Sequence, residues 1–369
     1  MRLADLLSGD LPRSRLLGAI LVLILISLAF APFLFPGSQS LNVAAKICVF
    51  IVLAASYDLL LGYTGIVSFA HTMFYGIGGY GVAIAMHGFS PTWGALAIGV
   101  VASLAVALVL AVVIGLFSLR VRAIFFAMIT LAVASAFAVL ASQLRDLTGG
   151  EDGRSYRVPE LLRPATQFFD TPVFGVSING RILAYYLIFF VALALFLLAL
   201  RIVNSPFGRV LQAIRENEFR AEALGYRVVV YRTVVNGLAA LMAALAGVLM
   251  ALWLRYTGPD TTLSFSIMID ILLMVVIGGM GTLYGAVVGA TLFILAQNYL
   301  QVLMGRLSEA TAGAPLLSQL LHPDRWLLWL GILFVLSVYF FPTGIVGRLR
   351  SLGVRRPVQP GGDAGERRD

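Results

Sequence analysis

An all-α integral membrane protein is the fold class this sequence predicts, and three observations carry the prediction. Sixty per cent of the 369 residues are hydrophobic and only 12% are charged; soluble domains hold about 45–50% apolar and about 25% charged residues. The apolar residues collect into long runs, most of them near the ~20 residues that a helix needs to cross a bilayer core. The arginines lie between those runs and favour alternate connections. No polar stretch is long enough to form a separate soluble domain; the longest are 144–181, 202–232 and the basic tail 347–369, which the composition predicts to be disordered.

Taken in order, the runs place spans near 16–35, 41–61, 66–87, 93–118, 123–143, 182–201, 233–254, 265–280, 283–304 and 326–346, about ten transmembrane helices. The first follows Arg13 and Arg15 and contains Ala29-Phe30-Ala31, which has the look of a signal-peptide cleavage site. The run is nevertheless long enough to span, and Pro32 would follow the cut, so it is read as an uncleaved helix. Glycines interrupt 66–87 and the pair of runs around 280, which predicts broken or re-entrant helices, tolerated where they line a cavity or are buried in protein. With the N-terminus in the cytoplasm, sixteen arginines fall in inner segments and eight in outer loops. The positive-inside rule therefore places both termini in the cytoplasm, with 202–232 inside and 144–181 outside.

Composition also excludes chemistry. Lys46 is the only lysine and follows Ala45, so the G-x-x-x-x-G-K-[ST] phosphate loop is absent and any ATP must be hydrolysed by a partner chain. Cys48 is the only cysteine, and the three histidines are far apart, which leaves no disulfide, no metal set and no catalytic constellation to predict. The net charge of +8 is spread over loops rather than gathered on one face, so nucleic acid is not an expected partner. Gly76-Ile77-Gly78-Gly79-Tyr80-Gly81 fits G-x-G-x-x-G on paper, but it lies within a hydrophobic span rather than after a strand. Small residues of this kind let membrane helices approach closely, and Gly281, Gly285 and Gly289, four apart, fit the same reading.

Three charges fall inside spans: Lys46, Asp58 and Asp270. Each costs roughly 2.5–3.5 kcal/mol on insertion scales, which calls for a partner. Lys46 and Asp270 each lie about five residues from the outer face, about 7 Å deep at the helical rise. That depth match predicts an ion pair between the second and eighth spans, with a lone snorkelling lysine as the alternative. Asp58, near the inner face, is expected to hydrogen-bond beside Tyr63 and Thr64. His71, with Ser68 and Thr72, is read as either a pathway residue or a packed, hydrogen-bonded one.

The segment 202–232 carries local start and stop signals. Ser205-Pro206 opens a helix with a capping hydroxyl and a first-turn proline. Asn217 caps a second, short helix, and Gly225 closes it. Glu218 and Glu222, four apart, share a face with Phe219 and Ala223 nearby. Such a helix can sit in a groove of a soluble partner and transmit rigid-body motion; a solvated loop helix is the alternative.

Gln212–Gly225, reading QAIRENEFRAEALG with Ala221-Glu222-Ala223-Leu224-Gly225 at its end, resembles the coupling loop of ABC importer permeases, and more closely the LivM-type permeases of branched-chain amino-acid transporters. Leu59-Leu60-Leu61-Gly62-Tyr63-Thr64-Gly65, followed by Ser68 and His71, resembles that family's first glycine motif, and the stretch from Asp270 through Ile277-Gly278-Gly279-Met280-Gly281 its late one. The resemblance covers roughly 42–300. It differs at Asp58, where asparagine is expected, at Asp270, where glutamate is expected, and at Ala70-His71-Thr72-Met73. It implies a permease domain over 1–346 in the bacterial inner membrane, without enzymatic activity or a cofactor of its own. It implies ATPase coupling through Arg215, Glu216, Asn217, Glu218, Ala221, Glu222, Ala223 and Gly225, and a pathway near Tyr63, Thr64, Ser68, His71, Gly278, Gly279 and Gly281. The implied partners are a second, LivH-like permease, two cytoplasmic ATPases that use ATP, and a periplasmic solute-binding protein. The implied solute is a branched-chain or other small hydrophobic amino acid; a urea or short-amide permease and an ion-driven carrier are the alternatives.

Overall fold

The computed structural model describes residues 14–34, 37–118, 123–168, 177–310, 319–340 and 343–353. The principal helices are α1 (Arg15–Ala29), α2 (Ser38–Thr64), α3 (His71–Gly88), α4 (Trp93–Ser118), α5 (Ala123–Gln143), α6 (Gly180–Val203), α7 (Pro206–Glu216), α8 (Glu218–Ala223), α9 (Val228–Leu254), α10 (Phe265–Gly278), α11 (Leu283–Ala310), α12 (Trp326–Phe340) and α13 (Gly344–Gly353). Each of the ten apolar runs holds a helix. Among the described residues, seven helices are long and apolar enough to cross a membrane. The chain is a multi-pass, all-α membrane protein.

Boundaries move where local chemistry dictates. α1 stops at Ala29 and the chain turns at Phe30 before a short turn of helix, Ala31–Leu34, because Pro32 has no N–H to continue the ladder. The expected span at 66–87 does not begin until His71. Gly65, at φ +72°, ends α2 in the left-handed region, and Ile66–Ala70 run without helix. α10 and α11 are parted by Gly279–Thr282, with Gly279 and Gly281 at φ +120° and +80°. The predicted interruption around 280 is therefore a real break, whereas the glycines within 66–87 lie in one unbroken helix and the break there falls ahead of it, after Gly65. The predicted disorder of the tail from 347 needs correction. α13 runs through 353, Val346 is fully buried, and the helix packs on α1, α10 and α11. Residues 354–369 lie outside the described residues.

α2 is the central helix. It packs on α6, α9, α10 and α11, and 94% of its most apolar window is buried. α4 and α5 lie at the periphery with their apolar faces outward, Val101, Val109 and Ile124 among them, as lipid-facing helices require. Backbone contact draws α3 against α9 and α4. Gly78 abuts the Ala244 carbonyl and Gly247 the Tyr75 carbonyl, while a Cβ at Gly81 would lie 2.8 Å from the Gly99 oxygen. The paper match to G-x-G-x-x-G therefore falls inside α3, where its glycines serve close packing. Gly285 and Gly289 likewise face the backbone of α10, at Gly278 and Met274. Gly281 does not share their face; it belongs to the break.

At the end of the bundle away from α7, two-residue strands β1 (Arg154–Ser155) and β2 (Tyr256–Thr257) pair antiparallel. The Tyr156 hydroxyl donates to the Ala251 carbonyl at 2.8 Å, which ties this connection to α9.

Candidate functional site

The 202–232 segment folds as its local signals dictate. The Ser205 Oγ accepts from the Gly208 N–H at 3.3 Å, and Pro206 occupies the first turn of α7. Asn217, at φ −159°, ends α7 and starts α8, its Oδ1 accepting from the Arg220 N–H at 2.9 Å. Gly225 takes φ +90°; its N–H donates to the Glu222 carbonyl and that of Tyr226 to the Ala221 carbonyl, the paired bonds of a Schellman stop. Ile214, Ala221 and Val228 form a small buried nucleus between α7, α8 and α9. Phe207 stacks on Tyr231 with ring centroids 5.5 Å apart. This unit has its own core, so a push on α8 reaches α7 and α9 as a rigid displacement.

Seven of the eight residues expected to couple divide into two groups, while the eighth, Arg215, reaches the Gly62 carbonyl. Ala221 is buried, and Glu218 forms a forked pair with Arg232, at 2.7 and 3.0 Å. Asn217 and Gly225 hold backbone geometry. Glu218 is thus paired within the chain, with its side chain still 43% exposed. The outward surface is Glu216, Glu222 and Ala223 with Phe219, 84% exposed, which the sequence already set on this face, and Leu224, 71% exposed, to which it gave no role. Their signal was present in the sequence as apolar residues on a loop helix.

The two glycine breaks meet beneath α7. The Asp58 Oδ1 accepts from the Gly281 N–H at 2.8 Å, joining the last turns of α2 to the break between α10 and α11. Gly62 leaves no space for a Cβ, which would run into the Asp58 carboxylate and the Gly281 nitrogen. Arg215 crosses both breaks, donating through Nη1 to the Gly62 carbonyl. Asp58 therefore does hydrogen-bond in the region of Tyr63 and Thr64, but to a backbone amide 223 residues away in sequence. Gly278 packs on the Gly285 carbonyl, and Gly279 adjoins Thr343 and Gly344, so the start of α13 also closes on this break.

The other residues expected at the pathway are buried. The Thr64 Oγ1 donates back to the Leu60 carbonyl at 2.6 Å, and the Ser68 Oγ accepts from the Ala70 N–H. Tyr63 is 2% exposed. His71 lies not with the late glycines but against α2, its Nε2 2.8 Å from the Ser56 Oγ and its ring edge-on to Tyr57. Because Ser56 donates its own proton to the Leu53 carbonyl at 2.8 Å, the histidine must be the donor at Nε2. The expected Lys46–Asp270 pair does not form. Asp270 faces α11 and meets the Gln297 amide at 3.5 Å, and Lys46 makes no ion pair among the described residues. Equal depth did not bring the two helices' faces together.

Comparisons with known proteins agree with this architecture. The family model described as branched-chain amino acid transport system / permease component matches residues 39–338. The high-affinity branched-chain amino acid transport permease protein LivM of Salmonella typhimurium (strain LT2) is 26% identical over 299 residues, 76% of this chain and 68% of that protein. LivM of Escherichia coli (strain K12) is 25% identical over 279 residues, 71% of this chain and 64% of that one, so the match spans about two thirds of either LivM. The permease protein LivH of Escherichia coli (strain K12) is 26% identical over 323 residues, 86% of this chain and 97% of that protein. No solved structure matches.

Proposed function

This chain belongs to the family of permease components of branched-chain amino acid transport systems, and from that premise we propose that it is one membrane subunit of an ABC importer for branched-chain or other small hydrophobic amino acids. It works in the bacterial inner membrane beside a second, LivH-like permease. The likeness of one chain to both LivM and LivH suits a pair of similar subunits around a shared pathway. A periplasmic solute-binding protein delivers the amino acid, and two cytoplasmic ATPases hydrolyse ATP. The chain itself has no phosphate loop and contributes no catalysis.

The observation that carries the reading is the α7–α8 unit, rigid inside and apolar outside. Phe219, Leu224 and Glu222 point away from the bundle, while caps, a buried nucleus and the Glu218–Arg232 pair fix the helices behind them. An ATPase that grips α8 in different positions before and after hydrolysis supplies differential binding to two permease states, and only such a difference shifts the equilibrium between them.

Purification of the tagged chain from its native membrane in mild detergent, with mass spectrometry of what accompanies it, tests this reading. The wild type is expected to bring two ATPase subunits and the second permease. Phe219→Asp combined with Glu222→Arg is expected to lose the ATPases by at least about tenfold and to keep the second permease, since aromatic anchors at an interface centre are worth about 2 kcal/mol or more. A wild-type chain that emerges without any ATPase contradicts the reading.

A further inference from the structure

We propose that Arg215 is a positioning residue of transport that faces the permease rather than the ATPase, a latch through which movement of the docking unit reaches both glycine breaks at once. The inference rests on the importer reading and assigns its transmission step to one side chain.

The chemistry begins with an unpaired carbonyl. Where Gly65 turns α2 into the left-handed region, the Gly65 N–H returns to the Leu61 carbonyl and the Ile66 N–H to that of Leu60. Ile66 is the residue that would have served the Gly62 carbonyl one turn on, so the helix end leaves that oxygen without its ladder partner. Arg215, in the last turn of α7, fills the place with a charged donor. A cation there also suits the negative end of the α2 dipole.

The same guanidinium reaches the second break. Its Nη1 lies 2.7 Å from where a Cβ on Gly281 would stand, and the Cγ of the same side chain is 3.6 Å from the corresponding point on Gly65, at the first break. Gly281 thus lies between the two side chains, with the arginine beside its α-carbon and the Asp58 carboxyl oxygen on its N–H. Neither Gly62 nor Gly281 tolerates a side chain here. Gly62 has no space, and Gly281 combines φ +80° with the arginine contact. One side chain of α7 is therefore bonded to the end of the central helix and packed on the loop that separates α10 from α11. If α7 is displaced, α2 and the α10–α11 break must move with it or this bond must open.

The test uses the assembled importer in proteoliposomes, with Arg215→Ala and Arg215→Lys beside the wild type and [14C]leucine as the probe. The expected result is that ATPase subunits co-purify with both variants as with the wild type. In Arg215→Ala, ATP-driven leucine uptake falls at least about tenfold, as loss of one charge-assisted hydrogen bond allows, and the ATP hydrolysed per leucine moved rises correspondingly. Arg215→Lys keeps one donor without the fork and is expected to lie between. If Arg215→Ala fails to assemble, the lysine variant decides by the same ratio of hydrolysis to uptake, which a purely structural role would leave unchanged. Uptake within twofold of wild type at an unchanged ratio overturns the latch, as does loss of the ATPases from either variant that is otherwise folded. Absence of ATPases from the wild type overturns the importer reading itself, so the two failures are distinguishable.

Discussion

Gly78→Val is expected to remove most folded protein from the membrane, the largest effect of any single substitution considered for this chain. α3 and α9 touch backbone to backbone: a side chain on Gly78 would run into the Ala244 carbonyl, and one on Gly247 into the Tyr75 carbonyl. Neither obstacle is the movable end of a side chain, so the helices must separate. Overfilling a packed core costs 1–3 kcal/mol even where side chains can give way, and about 3 kcal/mol or more is expected here. Close packing of small residues, rather than a hydrophobic force between helices, holds membrane bundles together, so little remains to compensate. The measurement is fluorescence-detected size-exclusion chromatography with a thermal melt in detergent. Gly247→Val should behave like Gly78→Val. Gly331→Ala, in α12 where nothing lies within 4 Å of the added Cβ, should be indistinguishable from wild type. A monodisperse Gly78→Val protein with an unchanged melt would show that α3 and α9 do not cross this closely.

Asp58→Leu is expected to cut transport by about tenfold or more while leaving the chain inserted. The Asp58 carboxylate is fully buried, and its Oδ1 is the acceptor for the Gly281 N–H. Leucine removes that acceptor and strands a backbone donor in the break, which costs about 1–3 kcal/mol. Asp58→Asn keeps a carbonyl oxygen at the same point, so it should retain the bond and most of the uptake. The contrast separates the oxygen's role from the charge's. If only the hydrogen bond matters, asparagine is near wild type and leucine is lost by about tenfold or more. Equal failure of both variants would instead show that the negative charge opposite Arg215 is required. The asparagine that the LivM-type pattern leads one to expect at this position fits the first outcome.

What could be read in the sequence depended on the range of the physics. The helices were legible because a bilayer demands ~20 apolar residues per span; each of the ten runs holds a helix, and among the described residues seven helices are long and apolar enough to cross a membrane. The caps at Ser205, Asn217 and Gly225 were legible because each is settled within three or four residues. The interruption at Gly279–Gly281 was legible for the same reason. The contact of Arg215 with Gly62 was not, since it joins residues 153 positions apart and depends on how α7 lies under α2. The Lys46–Asp270 expectation failed on rotation. Depth along a helix follows from the rise per residue, but the direction a side chain faces depends on neighbours, and Asp270 faces Gln297 of α11. The pairing of Glu218 was not legible, because its partner, Arg232, lies on the next helix, 14 residues on. The helix over 344–353 was missed because arginines in a short terminal segment look like a solvated tail, whereas Val346 turns inward against the break at Gly279.

The most direct test of the central claim is uptake of [14C]leucine by proteoliposomes that contain the whole native assembly, supplied with the solute-binding protein outside and either ATP or an ion gradient. The account predicts accumulation with ATP and none with a proton or sodium gradient alone. It also predicts that a protonophore has no effect and that Phe219→Asp combined with Glu222→Arg abolishes uptake. Accumulation driven by an ion gradient without ATP, collapsed by the protonophore and indifferent to those two residues, would contradict it.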